Sequence, residues 1–206
     1  MNRVYSLLIF LSFSIPTIGQ DWKWKNPLPT GNKLTVVKFI DSTTVIAIGN
    51  NGTILKSTNK GLDWSVKLSG THLDIVSLSV IDRDTIYVSC SDRSILKTIN
   101  NGDSWTKVFN GGGTYDVKSQ VFFLSPAVGY LLGTSMQLLK TIDYGRTWNN
   151  INLGNEFQNV KSICFTTENV GYGITSSSLL KTIDGGLTWT EKELPGSSYY
   201  NAISFT

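Results

Sequence analysis

One nine-residue stretch is written four times along the chain, and it decides what the rest can become. Its clearest copy is Lys181-Thr182-Ile183-Asp184-Gly185-Gly186-Leu187-Thr188-Trp189, and the others begin at Lys56, Lys97 and Lys140. The tryptophans that close the copies are Trp64, Trp105, Trp148 and Trp189, in steps of 41, 43 and 41 residues. A period in the forties with strand-like content is the signature of a β-propeller blade. Each copy has the chemistry of a tight hairpin turn. Asn59, Asn100, Asp143 and Asp184 can accept backbone N–H bonds from the residues that follow. Two residues on, Gly61, Gly102, Gly145 and Gly186 supply a positive φ without a Cβ clash. The Trp then opens the outgoing strand and offers a large apolar face to the neighbouring unit. A single carboxylate per turn, replaced by Asn in two copies, is poor calcium chemistry. The turns therefore read as structural, with no metal and no cofactor.

Around each turn lie four strand-sized segments, in the first unit residues 35–40, 45–49, 53–57 and 64–68. Asn50-Asn51-Gly52 sits between the second and third as a hairpin turn should. Inner segments are apolar and β-branched, whereas the outer Trp189-Thr190-Glu191-Lys192-Glu193 is charged, which suits a radial blade with a protected edge. The units run over about 34–70, 74–113, 116–155 and 159–196. A fifth begins at 199–206, where Asn201-Ala202-Ile203-Ser204-Phe205 parallels residues 160–165. Residues 21–25 read as an orphan outer strand. The expected fold is all-β: a β-propeller of four-stranded antiparallel blades, with about four and a half blades present in an incomplete ring. A seven-blade ring would need roughly 290 residues.

The first 19 residues stand apart. Arg3 supplies a positive start, residues 4–15 are apolar, and Thr17 and Gly19 place small residues before a cut ahead of Gln20, the pattern of a Sec signal peptide. It leaves 187 of the 206 residues and implies a periplasmic, cell-surface or extracellular protein. No later stretch is apolar for about 20 residues, so the mature chain is not expected to span a membrane. Removing Arg3 leaves 17 basic against 15 acidic residues, too balanced to argue for nucleic acid. Export would permit a disulfide, but Cys90 and Cys164 fall at different places in different units, and two buried free thiols fit better. With one histidine, His72, they make no zinc cluster.

The nonapeptide resembles the Asp-box, or bacterial neuraminidase repeat, of sialidase-like propellers. Residues 24–31, and Gly49-Asn50-Asn51-Gly52-Thr53-Ile54-Leu55-Lys56 with the turn after it, resemble the photosystem II stability/assembly factor-like propellers. That family sits within the wider sialidase-like and WD40/YVTN-like group. The resemblance covers residues 20–206, and neighbouring propeller families fit less well: no Trp-Asp ends a strand as in WD40 blades, and the glycine triplet at 111–113 does not recur as kelch glycines would. It implies an exported protein whose repeated turns are structural, on the rim, away from any active centre. In photosynthetic members it implies binding of nascent reaction-centre subunits through arginines. The mature chain has only Arg83, Arg93 and Arg146, a sparse patch. Sialidase chemistry would need an arginine cluster and a tyrosine nucleophile paired with a Glu. The expected Arg-Ile-Pro is replaced by Asn26-Pro27-Leu28-Pro29, so no enzyme is expected.

In propellers the loops that join one blade to the next share a face with the turns between second and third strands, opposite the repeated turns. Those loops supply the candidate binding residues: His72, Tyr115, Glu156, Phe157, Tyr199 and Tyr200. Aromatic side chains on variable loops suit protein or glycan contacts, and Phe157 and Tyr199 could equally tuck between blades as packing. The recurring Lys56, Lys97, Lys140 and Lys181 read as a solvated face. The functional expectation is an exported, non-enzymatic protein-interaction, assembly or adhesion scaffold with a protein partner. The alternative is an extracellular glycan-binding or degenerate sialidase-type propeller.

Overall fold

The computed structural model describes residues 29–112, 119–133, 137–152, 160–195 and 200–204. Among them are sixteen strands and no helix, in four antiparallel four-stranded sheets. Blade 1 holds β1 (Leu34–Phe39), β2 (Val45–Gly49), β3 (Ile54–Ser57) and β4 (Ser65–Lys67). Blade 2 holds β5 (Ile75–Val80), β6 (Ile86–Cys90), β7 (Ile95–Thr98) and β8 (Thr106–Phe109). Blade 3 holds β9 (Gln120–Phe123), β10 (Gly129–Leu132), β11 (Gln137–Thr141) and β12 (Asn149–Asn152). Blade 4 holds β13 (Ser162–Phe165), β14 (Gly171–Ile174), β15 (Ser178–Thr182) and β16 (Thr190–Glu193). Within every sheet the strands lie in chain order. This is an all-β propeller, and each blade is the product of one repeat.

Second strands form the centre of each blade and are sandwiched between neighbours. β2, β6 and β10 are buried along their whole length, which is why they read as runs such as Val-Ile-Ala-Ile-Gly rather than as alternating patterns. The outer β16 is wholly exposed, as its charges require. The innermost strand departs from the expected gradient, because β1 is exposed along most of its length. Its side away from blade 2 carries no neighbouring blade among the described residues. Outer strands begin one residue after the tryptophans, so each Trp belongs to the turn rather than to the strand.

Consecutive blades pack face to face through three apolar clusters. Ile46, Ile48 and Ile54 of blade 1 meet Ile75, Leu78, Ile86, Val88 and Leu96 of blade 2, with Trp105 against them. Tyr87 and Ile95 of blade 2 meet Val121, Phe123 and Leu131 of blade 3, beside Trp148. Tyr130, Leu132 and Leu138 of blade 3 meet Ile163, Phe165 and Leu180 of blade 4, beside Trp189. The last two interfaces share one device. Tyr87 stacks on Phe123 with ring centres 3.7 Å apart, and Tyr130 on Phe165 at 3.8 Å. Each Phe ring lies over a glycine of its own second strand. A Cβ on Gly129 would come within 2.7 Å of the Phe123 ring, and one on Gly171 within 2.5 Å of Phe165. A strand glycine here marks a close approach. Full burial of one such ring contributes on the order of 1.5–3 kcal/mol.

The recurring lysines are not a solvated face. Lys56 is only 6% exposed and its Nζ lies 3.1 Å from Asp103 in the blade 2 turn. Lys97 and Lys140 are half-buried and lie 5.0 and 5.3 Å from the ring centres of Tyr87 and Tyr130. Burial moves the Lys97 ammonium below the usual lysine value. Only Lys181, in blade 4, is exposed. The position lies on the side covered by the following blade, where an alkyl stem packs on apolar surface and the charged head seeks a rim partner.

No disulfide joins the two cysteines, Cys90 buried and Cys164 half-buried. Burial pushes the Cys90 thiol up to about 11, which leaves it a packing residue rather than a nucleophile. The expected signal peptide and orphan strand lie outside the described residues. Residues 200–204, expected at the start of a fifth unit, run without strand pairing.

Candidate functional site

The repeated turns occupy one face, and their geometry recurs in all four blades. The side-chain oxygen of Asn59 accepts the Asp63 N–H at 2.9 Å, Asn100 that of Ser104 at 3.0 Å, and Asp143 and Asp184 those of Thr147 and Thr188 at 2.9 Å. Gly61, Gly102, Gly145 and Gly186 all have positive φ, from 79 to 97°. Each tryptophan bends back so that its indole N–H donates to that glycine's carbonyl, from 2.9 Å at Trp64 to 3.1 Å at Trp105 and Trp148 and 3.0 Å at Trp189. The turn is thus closed twice, once by the Asx side chain and once by the indole.

A hydroxyl that the sequence reading passed over holds the turn from beneath. Ser57, Thr98, Thr141 and Thr182 are all buried. Each donates to the Asx oxygen at 2.8–2.9 Å and accepts the glycine N–H at 2.8–3.0 Å. Donor and acceptor matching also explains why two turns carry Asn and two carry Asp. Where the turn carries Asp143 or Asp184, Thr147 or Thr188 donates its hydroxyl to the second carboxylate oxygen. Where it carries Asn59, the amide instead donates to Asp63 at 2.8 Å, and Asn100 donates to Ser104 at 2.9 Å. The Thr147 and Thr188 bonds hold the Asp143 and Asp184 carboxyls down to about 2. Every polar group of the carboxylate is committed to its own turn.

A second repeated turn, also unread in the sequence, joins the first and second strands on the same face. Asp41 accepts the N–H groups of Thr43 and Thr44, Asp82 those of Asp84 and Thr85, Ser125 that of Val128, and Thr167 those of Asn169 and Val170. Its signal was present, at steps of 41, 43 and 42 residues, but it is spelled with three residue types. The two turns of each blade are tied by main chain alone. Lys60, Asn101, Tyr144 and Gly185 donate N–H to the carbonyls of Thr43, Asp84, Ala127 and Asn169 at 2.8–3.2 Å.

The opposite face carries the variable loops, and there the structure forms a groove. Asn51 and Gly52 both have positive φ, 54 and 67°, the conformation of a two-residue hairpin turn. The loop after β4 is pinned over that turn: Gly52 N–H donates to the Leu73 carbonyl at 2.8 Å and Asn51 N–H to the Asp74 carboxylate at 2.9 Å. A Cβ on Gly52 would fall 2.0 Å from the Thr71 carbonyl oxygen, so only glycine fits. Between turn, loop and the chain leading to β1 opens a cavity of about 530 Å³, bordered by Asn32, Thr53, Lys67, Ser69, Thr71 and His72. Exposed Val66 and Leu68 give it an apolar side, and Lys67 is held by Asp103 at 2.8 Å.

Of the candidate loop residues, His72 is exposed at this groove. Tyr200 is half-buried and donates its hydroxyl to the Pro195 carbonyl, so it does not join His72. Tyr115, Glu156, Phe157 and Tyr199 lie outside the described residues. No three His, Cys, Asp or Glu side chains gather among the described residues in a way that could hold a metal ion. What the groove offers is a mixture of hydrogen-bonding groups, one imidazole and an apolar flank.

No family model matches the chain, and no curated protein matches it. Solved structures do. YCF48 bound to D1 peptide superposes with a TM-score of 0.66 at 16% identity, over 84% of this chain and 56% of that one. YCF48 from Cyanidioschyzon merolae gives 0.66 at 18% identity, over 87% and 62%. The GH74 enzyme of Niastella koreensis gives 0.60 at 21% identity, over 78% and 29%. The chain thus spans just over half the length of the two YCF48 structures. At these identities the likeness is one of fold.

Proposed function

We propose that the chain is an exported, non-enzymatic propeller of the Asp-box type, a scaffold that holds an extended segment of a partner protein on its loop face. The groove beside His72 carries this reading. It combines side-chain donors and acceptors with the exposed apolar Val66 and Leu68, on a rigid turn-and-loop support. That is the lining an extended peptide uses: polar groups fix the main chain and an apolar flank takes side chains. One structural neighbour, YCF48, is bound to D1 peptide, which supports a peptide as the class of ligand. The repeated turns contribute nothing to binding in this reading, because their polar groups are bonded internally.

The test is cross-linking of the exported chain in its own cell envelope, followed by identification of captured proteins. Recovery of a membrane-protein precursor that is lost with His72→Ala and Leu68→Asp supports the scaffold. A glycan-array signal lost on changing Tyr115 and Tyr199, with no protein captured, would replace it by the glycan-binding alternative.

A further inference from the structure

On the face of the repeated turns, two successive blade junctions use the same two positions with opposite charge. Between blades 1 and 2, Lys56 lies 3.1 Å from Asp103, the residue that follows the turn glycine Gly102. Lys67 reaches the same carboxylate oxygen at 2.8 Å, and the Lys67 and Lys56 ammoniums hold the Asp103 carboxyl below its usual value. Between blades 2 and 3 the two positions carry Lys97 and Arg146. A guanidinium stands where the carboxylate was. Burial and the charge of Arg146 both push the half-buried Lys97 ammonium below its usual value. Asp82 opposes part of that push, but its Oδ1 accepts the N–H groups of Asp84 and Thr85 at 2.8 and 2.7 Å. Among the described residues neither Lys97 nor Arg146 forms an ion pair. Two cations side by side, one of them half-buried, are a costly arrangement that an anion from outside relieves.

An aromatic ring stands beside this pair. Lys97 Nζ lies 5.0 Å from the ring centre of Tyr87 and 5.9 Å from that of Tyr144. The Tyr87 ring is fully buried, whereas Tyr144 is 50% exposed. Tyr144 also has a φ of 65°, at the turn position where the other blades place Lys60, Asn101 and Gly185. A bulky residue is uncommon in that conformation, and such strain collects where side chains meet ligands. The Tyr87 hydroxyl donates to the Tyr144 carbonyl at 3.1 Å, which ties the turn beside the lysine.

We propose that Lys97, Tyr144 and Arg146 form a binding site for an acidic polysaccharide. The two cations take the carboxylate of a uronic acid, and the exposed Tyr144 ring takes the apolar face of a sugar. The carboxylate follows from the place that Asp103 fills at the preceding junction. A sugar fits better than an extended peptide because the main chain here is already committed. The Tyr144 N–H donates to the Ala127 carbonyl at 3.2 Å and the Arg146 N–H to the Asp143 carbonyl at 3.4 Å. A strand laid on this turn finds no donors at these residues, whereas a sugar acid needs only charged side-chain donors and a flat ring. The site lies on the face opposite the groove beside His72 and does not depend on it.

Native gel mobility of the chain, purified after expression at full length, tests the site in gels containing polygalacturonate. Retardation is expected with polygalacturonate and not with its methyl ester, and it should fade as salt is raised. Arg146→Asp copies the junction of blades 1 and 2. It should weaken binding roughly tenfold or more while the thermal midpoint holds or rises, because Lys97 gains a carboxylate. Tyr144→Asn, which copies the turn of blade 2, should weaken binding without lowering the midpoint. Lys192→Asp, on the exposed β16, makes the same change of charge elsewhere and should leave binding intact. Should Arg146→Asp lose its β-sheet circular dichroism, Arg146→Leu, which copies the turn of blade 4, replaces it. The proposal is overturned if the unaltered chain is not retarded, or is retarded equally by the ester. It is also overturned if Lys192→Asp weakens binding as much as the Arg146 variant does. Tighter binding of poly-glutamate than of polygalacturonate overturns it too, and gives the site to an acidic protein surface.

Discussion

Blades 1 and 2 present the same apolar positions in the same register, Leu34, Val37 and Phe39 in one and Ile75, Leu78 and Val80 in the other. The first set is exposed; in the second, Ile75 and Leu78 are buried and Val80 packs against the core. The strands do not account for this, because both are β-branched and apolar. What differs is the neighbour. Lysines at the other side of the blades tell the same story in reverse, from buried Lys56 to exposed Lys181. In a stack of repeats, burial belongs to the junction and not to the unit, so one sequence position carries different energetic weight from blade to blade.

The strongest test of that difference is Tyr130→Ala, which empties an internal junction of its stacked ring. A loss of about 3–5 kcal/mol in denaturant unfolding is expected. Leu78→Ala, inside the blade 1–2 junction, should cost about 2–5 kcal/mol. Thr141→Val removes the hydroxyl under the blade 3 turn, leaving the Gly145 N–H unmatched and Asp143 one bond short, and should cost about 1–3 kcal/mol; an unchanged midpoint would show that water replaces the hydroxyl.

Acid should sharpen the contrast between blades in a crossed pattern. Asp143 and Asp184 have folded values lowered from 3.8 to about 2 by bonds to Thr147 and Thr188. Their stabilisation is therefore present above pH 4 and lost as pH falls through about 2. Asn59 and Asn100 do not titrate. Amide exchange at Thr147 and Thr188 should accelerate in that window while Asp63 and Ser104 hold. The inner turns should reverse the order, because there the lowered carboxyls, Asp41 and Asp82, belong to blades 1 and 2, and blades 3 and 4 use Ser125 and Thr167. Uniform acceleration would mean global unfolding instead. The smallest effect is expected at Val37→Ala, within about 0.5 kcal/mol in dilute solution. A loss there equal to that of Leu78→Ala would break the comparison.

The blades were legible because the Trp-closed turn recurs with one spelling, and a turn that needs φ > 0 and an indole partner tolerates few substitutes. The inner turn escaped because Asp, Ser and Thr all offer an oxygen to the same N–H groups, so the geometry repeats while the letters do not. The lysines were misread for a different reason: a strand position shows its alternation in sequence but not which side a later blade will cover. The groove was half-legible. His72 stood out as the one histidine on a variable loop, but Asn32, Thr53 and Ser69 are common polar residues that only the pinning of the loop over Gly52 brings together.

The main-chain tie between the two turns of each blade has one more consequence. Because donors and acceptors there are peptide groups, the tie is blind to side chains, and Thr43, Asp84, Ala127 and Asn169 serve it equally. One end of every blade is therefore shut by a fastening that mutation can hardly reach. The loops at the other end are free to lengthen, shorten or change their chemistry without loosening the sheet that bears them. A lineage carrying this fold can retune what it recognises by drift at one end alone.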